Sequence, residues 1–147
     1  MTKAQTAKRY LNQYHRLRRT LTSLERRVEE LEVKAQGVGA IRYDKDRVQT
    51  SPENQIEADA IRLAEVREKY RAALIEYAET ALEIERQVSS MEPELYGLIL
   101  RMRYIETDPG GYQVSFRRIS WKLKKSYNYI CNQHGAALTA FAEKFLE

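Results

Sequence analysis

A chain of 147 residues is long enough for one ordinary domain, or for a small domain with an extended element. Hydrophobic residues make up 43% and charged residues 31% of it, a balance that excludes wholesale disorder. The single cysteine excludes an intrachain disulfide framework, and no apolar run approaches the roughly 18 residues that a membrane helix needs. Because the first residues also lack the apolar core of a signal peptide, we expect a cytoplasmic protein.

The first predicted element is a helix from about Thr6 to Gln36. Apolar residues recur along it in alternating steps of four and three, which makes a heptad seam of nearly four repeats. The seam consists of Tyr10, Tyr14, Leu17, Leu21, Leu24, Val28, Leu31 and Ala35. Gly37 and Gly39 predict the end of the helix.

A connector of about residues 37–51 leads to a second long helix. Ser51, Pro52 and Glu53 combine a capping hydroxyl, a proline at the first helical position and an acid in the first turn, which predicts a helix start. The helix extends to about Ser90. Its apolar stripe consists of Ile56, Ala60, Leu63, Tyr70, Leu74, Tyr77, Ala81, Ile84 and Val88. Neither long helix can bury its stripe alone, so we expect an antiparallel hairpin, packing on a second chain, or both, and we favour a homodimer.

Pro93 separates this hairpin, residues 1–90, from a C-terminal unit, residues 91–147. Three helices are predicted in the unit: Glu94–Ile105, Phe116 to about Lys124 capped by Ser115, and Tyr127 to about Phe145 capped by Ser126. A turn is predicted at residues 107–111. The predicted inward residues are Leu95, Leu98, Ile99, Met102, Ile105, Phe116, Ile119, Leu123, Ile130, Ala137, Leu138 and Phe141. The expected fold class is therefore all-α.

Positive charge is segregated along the chain. Six basic residues and no acid precede Glu25, and five basic residues and no acid occupy the stretch from Pro109 through Ala142. The five are Arg117, Arg118, Lys122, Lys124 and Lys125. Such segregation suits a polyanion, most commonly nucleic acid. The alternative is a pair of ordinary solvated faces.

The last two predicted helices have helix-turn-helix proportions. A short helix carries the small residue Ser120 where a second helix must cross closely, and the cap Ser126 starts that second helix a few residues later. Its first two turns would face base edges in the major groove of double-stranded DNA, with Tyr127, Asn128, Cys131 and Asn132 outward. We expect phosphate contacts from Arg117, Arg118, Lys122, Lys124, Lys125 and the helix start at Ser126.

Residues 94–141 resemble region 4 of bacterial primary-type sigma factors. Met102, Arg103 and Tyr104 stand where that family has a Leu-Arg-Tyr motif. The family's recognition-helix pattern is matched by Ser126, Ile130, Ala137, Leu138 and Phe141. The resemblance implies that Tyr127, Asn128, Cys131 and Asn132 contact promoter bases, and that RNA polymerase is a possible partner.

The whole chain is similar to small phage-encoded, sigma-like late-gene activators of the ArpU and RinA type, in which a helical N-terminal half precedes such a unit. Residues 42–52 look like the connector of those proteins. Two features depart from the sigma pattern. Lys124 or Lys125 replaces the usual turn glycine, and the base-reading positions carry neither arginine nor glutamine.

Other assignments compete with this one. Trp121 is expected to pack against the first helix of its own unit. Cys131 and His134 lie one helical turn apart, but a metal site needs three or four ligands and no oxyanion machinery is visible, so we expect no catalysis, metal or cofactor. Two alternative functions stay open: a DNA-packaging subunit like a phage small terminase, and a helical adaptor that acts on RNA polymerase without touching DNA.

Overall fold

The computed structural model describes residues 1–37 and 52–147, which are all-α as predicted. The predicted cap Ser51 and nearly all of the 42–52 connector motif lie outside the described residues. In chain order the helices are α1 (Lys3–Leu11), α2 (Gln13–Gly37), α3 (Pro52–Ser89), α4 (Glu94–Leu100), α5 (Phe116–Leu123) and α6 (Tyr127–Phe145), and a π-helical turn, Arg101–Ile105, continues α4. None of these helices is long and apolar enough to cross a membrane.

The described chain forms two compact units. The first unit combines residues 1–17 with residues 77–147, and the second is Arg18–Glu76. This division differs from the predicted boundary near residue 90. The reason is that α1, the start of α2 and the end of α3 share a buried cluster with α6, so residues distant in sequence are joined in one core.

The N-terminal segment is two helices where one was predicted. The α1 helix starts at Lys3, earlier than the predicted Thr6, because Thr2 and Gln5 form a capping box. In it the Gln5 amide donates to Thr2 Oγ1 at 3.1 Å, and the Thr2 amide donates to Gln5 Oε1 at 2.9 Å. Asn12 separates α1 from α2, which ends at Gly37 as predicted.

In the Arg18–Glu76 unit, α2 and α3 run antiparallel. Arg67 Nη2 lies 3.3 Å from Glu32 Oε1, and Lys34 Nζ lies 3.8 Å from Asp59 Oδ1. The later residue of α2 thus pairs with the earlier residue of α3, as antiparallel helices require. The half-buried apolar residues of α3 here are Leu63, Val66, Tyr70 and Ala73. Ile56, Ala60 and Leu74, predicted for the same stripe, are exposed instead. Two helices bury only a narrow seam between them, which explains this difference.

In the C-terminal part, the predicted caps and most inward residues are confirmed. Ser115 Oγ accepts from the Arg118 amide, and Ser126 Oγ accepts from the Tyr129 amide, both at 3.1 Å. Within the turn, the Asp108 carboxylate accepts two amides, and Gly111 has a φ of 84° that suits glycine. Leu98 was wrongly placed inward and is 40% exposed. Its helix packs into two clusters at once, through Ile99 and Met102 on one side and Leu100 and Tyr104 on another, which leaves Leu98 facing solvent.

Candidate functional site

The connection between α5 and α6 is a tight turn made by two lysines. The Lys124 amide donates to the Trp121 carbonyl at 3.3 Å, and the Lys125 amide donates to the Ser120 carbonyl at 3.0 Å. This pair of bonds is a Schellman motif, and its residue after the helix is left-handed. Lys124 occupies that position with a φ of 56°. The sequence therefore departs from the sigma pattern at the very residue whose backbone favours glycine.

The middle of α6 is held by His134. Its Nε2 lies 2.8 Å from the hydroxyl of Tyr104, a fully buried side chain, and its ring lies 4.7 Å from that of Phe116 at the start of α5. Burial, with smaller contributions from Arg103 and Lys8, lowers the pKa of His134 to about 4. Burial likewise raises the pKa of Tyr104 to about 12. The hydrogen bond therefore joins two neutral rings at physiological pH.

Arg103 fastens α5 to the same junction. Its Nη1 donates to the Val114 carbonyl at 2.7 Å, and its guanidinium carbon lies 4.2 Å from the centre of the Phe116 ring. Each of the three residues that resemble the sigma motif therefore makes a packing or hydrogen-bonding contact in this chain. Met102 and Tyr104 are buried, and Arg103 between them reaches the backbone just before α5.

The C-terminal half of α6 is packed against α1 and the end of α3. The Tyr10 and Phe141 rings are 5.8 Å apart, and the Tyr10 hydroxyl donates to Gln87 Oε1 at 2.8 Å. Lys144 Nζ also donates to the Ser90 carbonyl at 2.8 Å. Because these contacts lie in the second half of the helix, the first two turns are left outside this cluster, and of their residues only Ile130 is fully buried, in a second cluster with Ile119 of α5.

Those first two turns present the predicted base-reading residues to solvent. Tyr127 is 42% exposed, Asn128 and Asn132 are exposed, and Cys131 is half-buried with a free thiol. Asn128 and Asn132 are one turn apart and opposite the buried Ile130. Tyr129, which the sequence analysis did not single out, is 37% exposed beside them.

The predicted phosphate-binding cations differ in their exposure. Arg117, Lys122, Lys124 and Lys125 are exposed, whereas Arg118 is half-buried and its Nε has no hydrogen-bond partner in the described part of the chain. The Arg117 guanidinium carbon lies 4.9 Å from the centre of the Tyr127 ring, and Lys125 Nζ lies 5.8 Å from that of Tyr129. Within residues 1–37 and 52–147, none of the five forms an ion pair with a carboxylate. In the described part of the chain, no ion pair therefore offsets their positive charge.

Trp121 was predicted to pack against the first helix of the C-terminal part, which is α4, and that prediction is wrong. It is 76% exposed and lines an open groove with Ser120, Lys122, Lys124 and Lys125. The inward positions of α5 are Phe116, Ile119 and Leu123, which places residue 121 on the opposite side of the helix. The helical spacing of Phe116, Ile119 and Leu123 in the sequence already predicts this outward position for Trp121.

Cys131 and His134 lie one helical turn apart on α6. The described hydrogen bond of His134 Nε2 is to Tyr104, and Cys131 is half-buried. Among the described residues, no group of three or more histidine, cysteine or acidic side chains is placed to hold a metal ion.

Comparisons with protein-family models, with curated proteins and with solved structures find no match to this chain. The resemblance to sigma region 4 and to phage late-gene activators stays a prediction from the residues quoted above.

We predict that Lys124→Gly stabilises the protein by about 0.5–1 kcal/mol, because glycine adopts the left-handed conformation without the steric cost that a Cβ imposes. Urea unfolding at neutral pH measures the change. Lys124→Ala is the matched control, since it removes the same ammonium group but keeps the unfavourable φ. Equal stabilities of the two variants would show that φ at residue 124 is not strained.

Proposed function

We propose that this chain is a sequence-specific, non-catalytic DNA-binding regulator of the phage-encoded sigma-like type, which reads duplex DNA with the start of α6. One observation carries the proposal. The first two turns of α6 project Asn128 and Asn132 into solvent, beside exposed cations that lack carboxylate partners in the described chain and two of which contact the first turn.

Sequence reading in this account belongs to the asparagines. A carboxamide can accept from N6 and donate to N7 of adenine at once, which makes asparagine a specific reader of that base in the major groove. Asn128 and Asn132 lie on one face of the helix, so both can point into one groove. Tyr127 and the half-buried Cys131 flank them, and their role is contact with the thymine methyl or the sugar edge.

Phosphate contacts in this account set the position of α6 on the duplex. Arg117, Lys122, Lys124 and Lys125 are exposed, and each phosphate contact that they make should add about 0.9 to the slope of log affinity against log salt. The free amides at the start of α6, next to Ser126, offer a further anion site. Arg118 contributes less because it is half-buried.

The helical hairpin supplies the second half of the proposed mechanism, which is self-association. Four large apolar residues of α3 in the Arg18–Glu76 unit are more than two-fifths exposed: Ile56 (51%), Ile61 (53%), Leu74 (41%) and Ile75 (54%). The same stretch also exposes charges of both signs: Arg62, Glu65, Glu68 and Lys69. In a two-fold dimer, the basic residues of one chain can pair with the acidic residues of the other. A homodimer would present two copies of α6 to two half-sites on DNA.

We expect Asn128→Ala and Asn132→Ala each to weaken binding to the preferred duplex by about 1–3 kcal/mol, because each removes two hydrogen bonds to a base edge. The duplex is first selected from a random library at two salt concentrations, and affinities are then measured by fluorescence anisotropy. Binding to an unrelated duplex at low salt should not change, because phosphate contacts supply it.

Gln36→Ala, which removes an exposed amide from α2, is the matched control and should bind like the wild type. If neither asparagine variant alters binding to any duplex at moderate salt, direct base reading is wrong. The adaptor that acts on RNA polymerase without DNA contact would then take its place.

For the hairpin, we predict that light scattering of the full chain gives twice the 17.3 kDa mass of one chain. The double variant Ile61→Gln and Ile75→Gln should weaken the dimer, because it replaces two exposed apolar side chains two heptads apart on α3. Val33→Gln, at an exposed apolar residue of α2, is the control and should stay dimeric. A monomer at micromolar concentration would contradict the proposed dimer. A ring of eight or more chains would favour the DNA-packaging subunit.

A further inference from the structure

Trp121 is the largest apolar side chain that the first unit leaves in water. It is the chain's one tryptophan, and 76% of it is exposed. Its indole N–H, which can only donate, has no hydrogen-bond partner among residues 1–37 and 52–147. Tryptophan is enriched at binding interfaces, because one end of its ring system is apolar and the other end carries a hydrogen-bond donor.

Two neighbours of Trp121 contact the start of α6. Arg117, one helical turn earlier on the same face of α5, approaches the Tyr127 ring to 4.9 Å. Lys125, which lines the groove with Trp121, approaches the Tyr129 ring to 5.8 Å. Trp121 therefore shares one face of α5 with Arg117 and the groove with Lys125, and both of these cations contact the first turn of α6, on the surface assigned above to DNA.

The chemistry of the groove limits what can occupy it. Lys122, Lys124 and Lys125 line it, and the sequence from Pro109 through Ala142 contains no acid. An occupant should therefore be anionic and should also carry an apolar surface for the indole face. A phosphodiester backbone combines the two, since each charged phosphate is followed by a deoxyribose ring.

We infer that Trp121 contacts the DNA backbone. The indole lies against a deoxyribose, and its N–H donates to a neighbouring phosphate at the edge of the DNA major groove that α6 enters. This rests on the proposed function and extends the contact surface from α6 to the outer face of α5. The contact is independent of sequence, so it is made with any duplex.

The single tryptophan makes the contact directly observable. We expect intrinsic fluorescence of the full chain to be quenched and shifted to shorter wavelength when a random-sequence duplex saturates it at low salt. The same change should occur in the Asn128→Ala, Asn132→Ala double variant, because backbone contact does not need base reading. If a duplex binds, as judged by anisotropy of a label on the DNA, and the emission does not change, Trp121 is not at the interface. The proposed function would survive that result.

A second measurement separates this contact from the lysines. Trp121→Ala should weaken duplex binding about tenfold, the loss expected for a hydrogen bond to a charged oxygen, while leaving the salt slope unchanged because the indole is neutral. Lys122→Ala, the neighbouring control, should lower the slope by about 0.9. Unaltered affinity in Trp121→Ala would overturn the inference.

Single-stranded DNA provides the last arm. If a single strand quenches the emission at lower concentration than the duplex does, the indole stacks on unpaired bases, and the backbone assignment is wrong. If no duplex of any sequence binds at low salt, both this inference and the proposed function fail.

Discussion

The hydrogen bond between Tyr104 and His134 is the contact on which the presentation of α6 depends. It joins the π-helical turn to the middle of α6, and Phe116 packs on the same imidazole from α5. With the pKa of His134 lowered to about 4, the ring stays neutral and its burial carries no charge penalty at neutral pH. Three elements meet at this one side chain, so their mutual positions are set there.

This junction divides α6 into two halves with different roles. Beyond His134, Ala137, Leu138 and Phe141 are buried in the cluster that includes α1. Before it, only Ile130 is fully buried, and it packs with Ile119 under α5. The start of α6 is therefore packed on one side and exposed on the other, which suits a helix that enters a groove of DNA.

Local chemistry made much of this predictable. The caps Ser115 and Ser126, the turn at residues 107–111 and the inward set Ile130, Ala137, Leu138 and Phe141 follow from side chains that act on their own backbone or repeat at helical spacing. The end of α2 at Gly37 and the extent of α3 follow from the same signals. Once these inward residues of α6 are assigned, helical geometry predicts that Asn128 and Asn132 point outward.

What was missed depends on contacts between distant residues. The sequence does not show that Tyr10 meets Phe141, and so it does not show that α1 belongs with α6. Leu98 fits a helical stripe, yet two clusters on other sides of its helix leave it exposed. Trp121 was expected to pack against the first helix of the C-terminal unit, although the spacing of Ile119 and Leu123 points it outward. Hydrophobicity indicates that a residue can be buried, and only its neighbours decide whether it is.

The central claim is that the outward asparagines of α6 read base edges, and a double-mutant cycle across the interface tests it most directly. In the selected duplex, adenines are replaced one at a time by 7-deazaadenine, which lacks the N7 acceptor, and each duplex is titrated with wild type, Asn128→Ala and Asn132→Ala. The account predicts at least one adenine whose replacement weakens the wild type but has little further effect on one asparagine variant, since the partner is already gone. Equal losses for all three proteins at every adenine would contradict it.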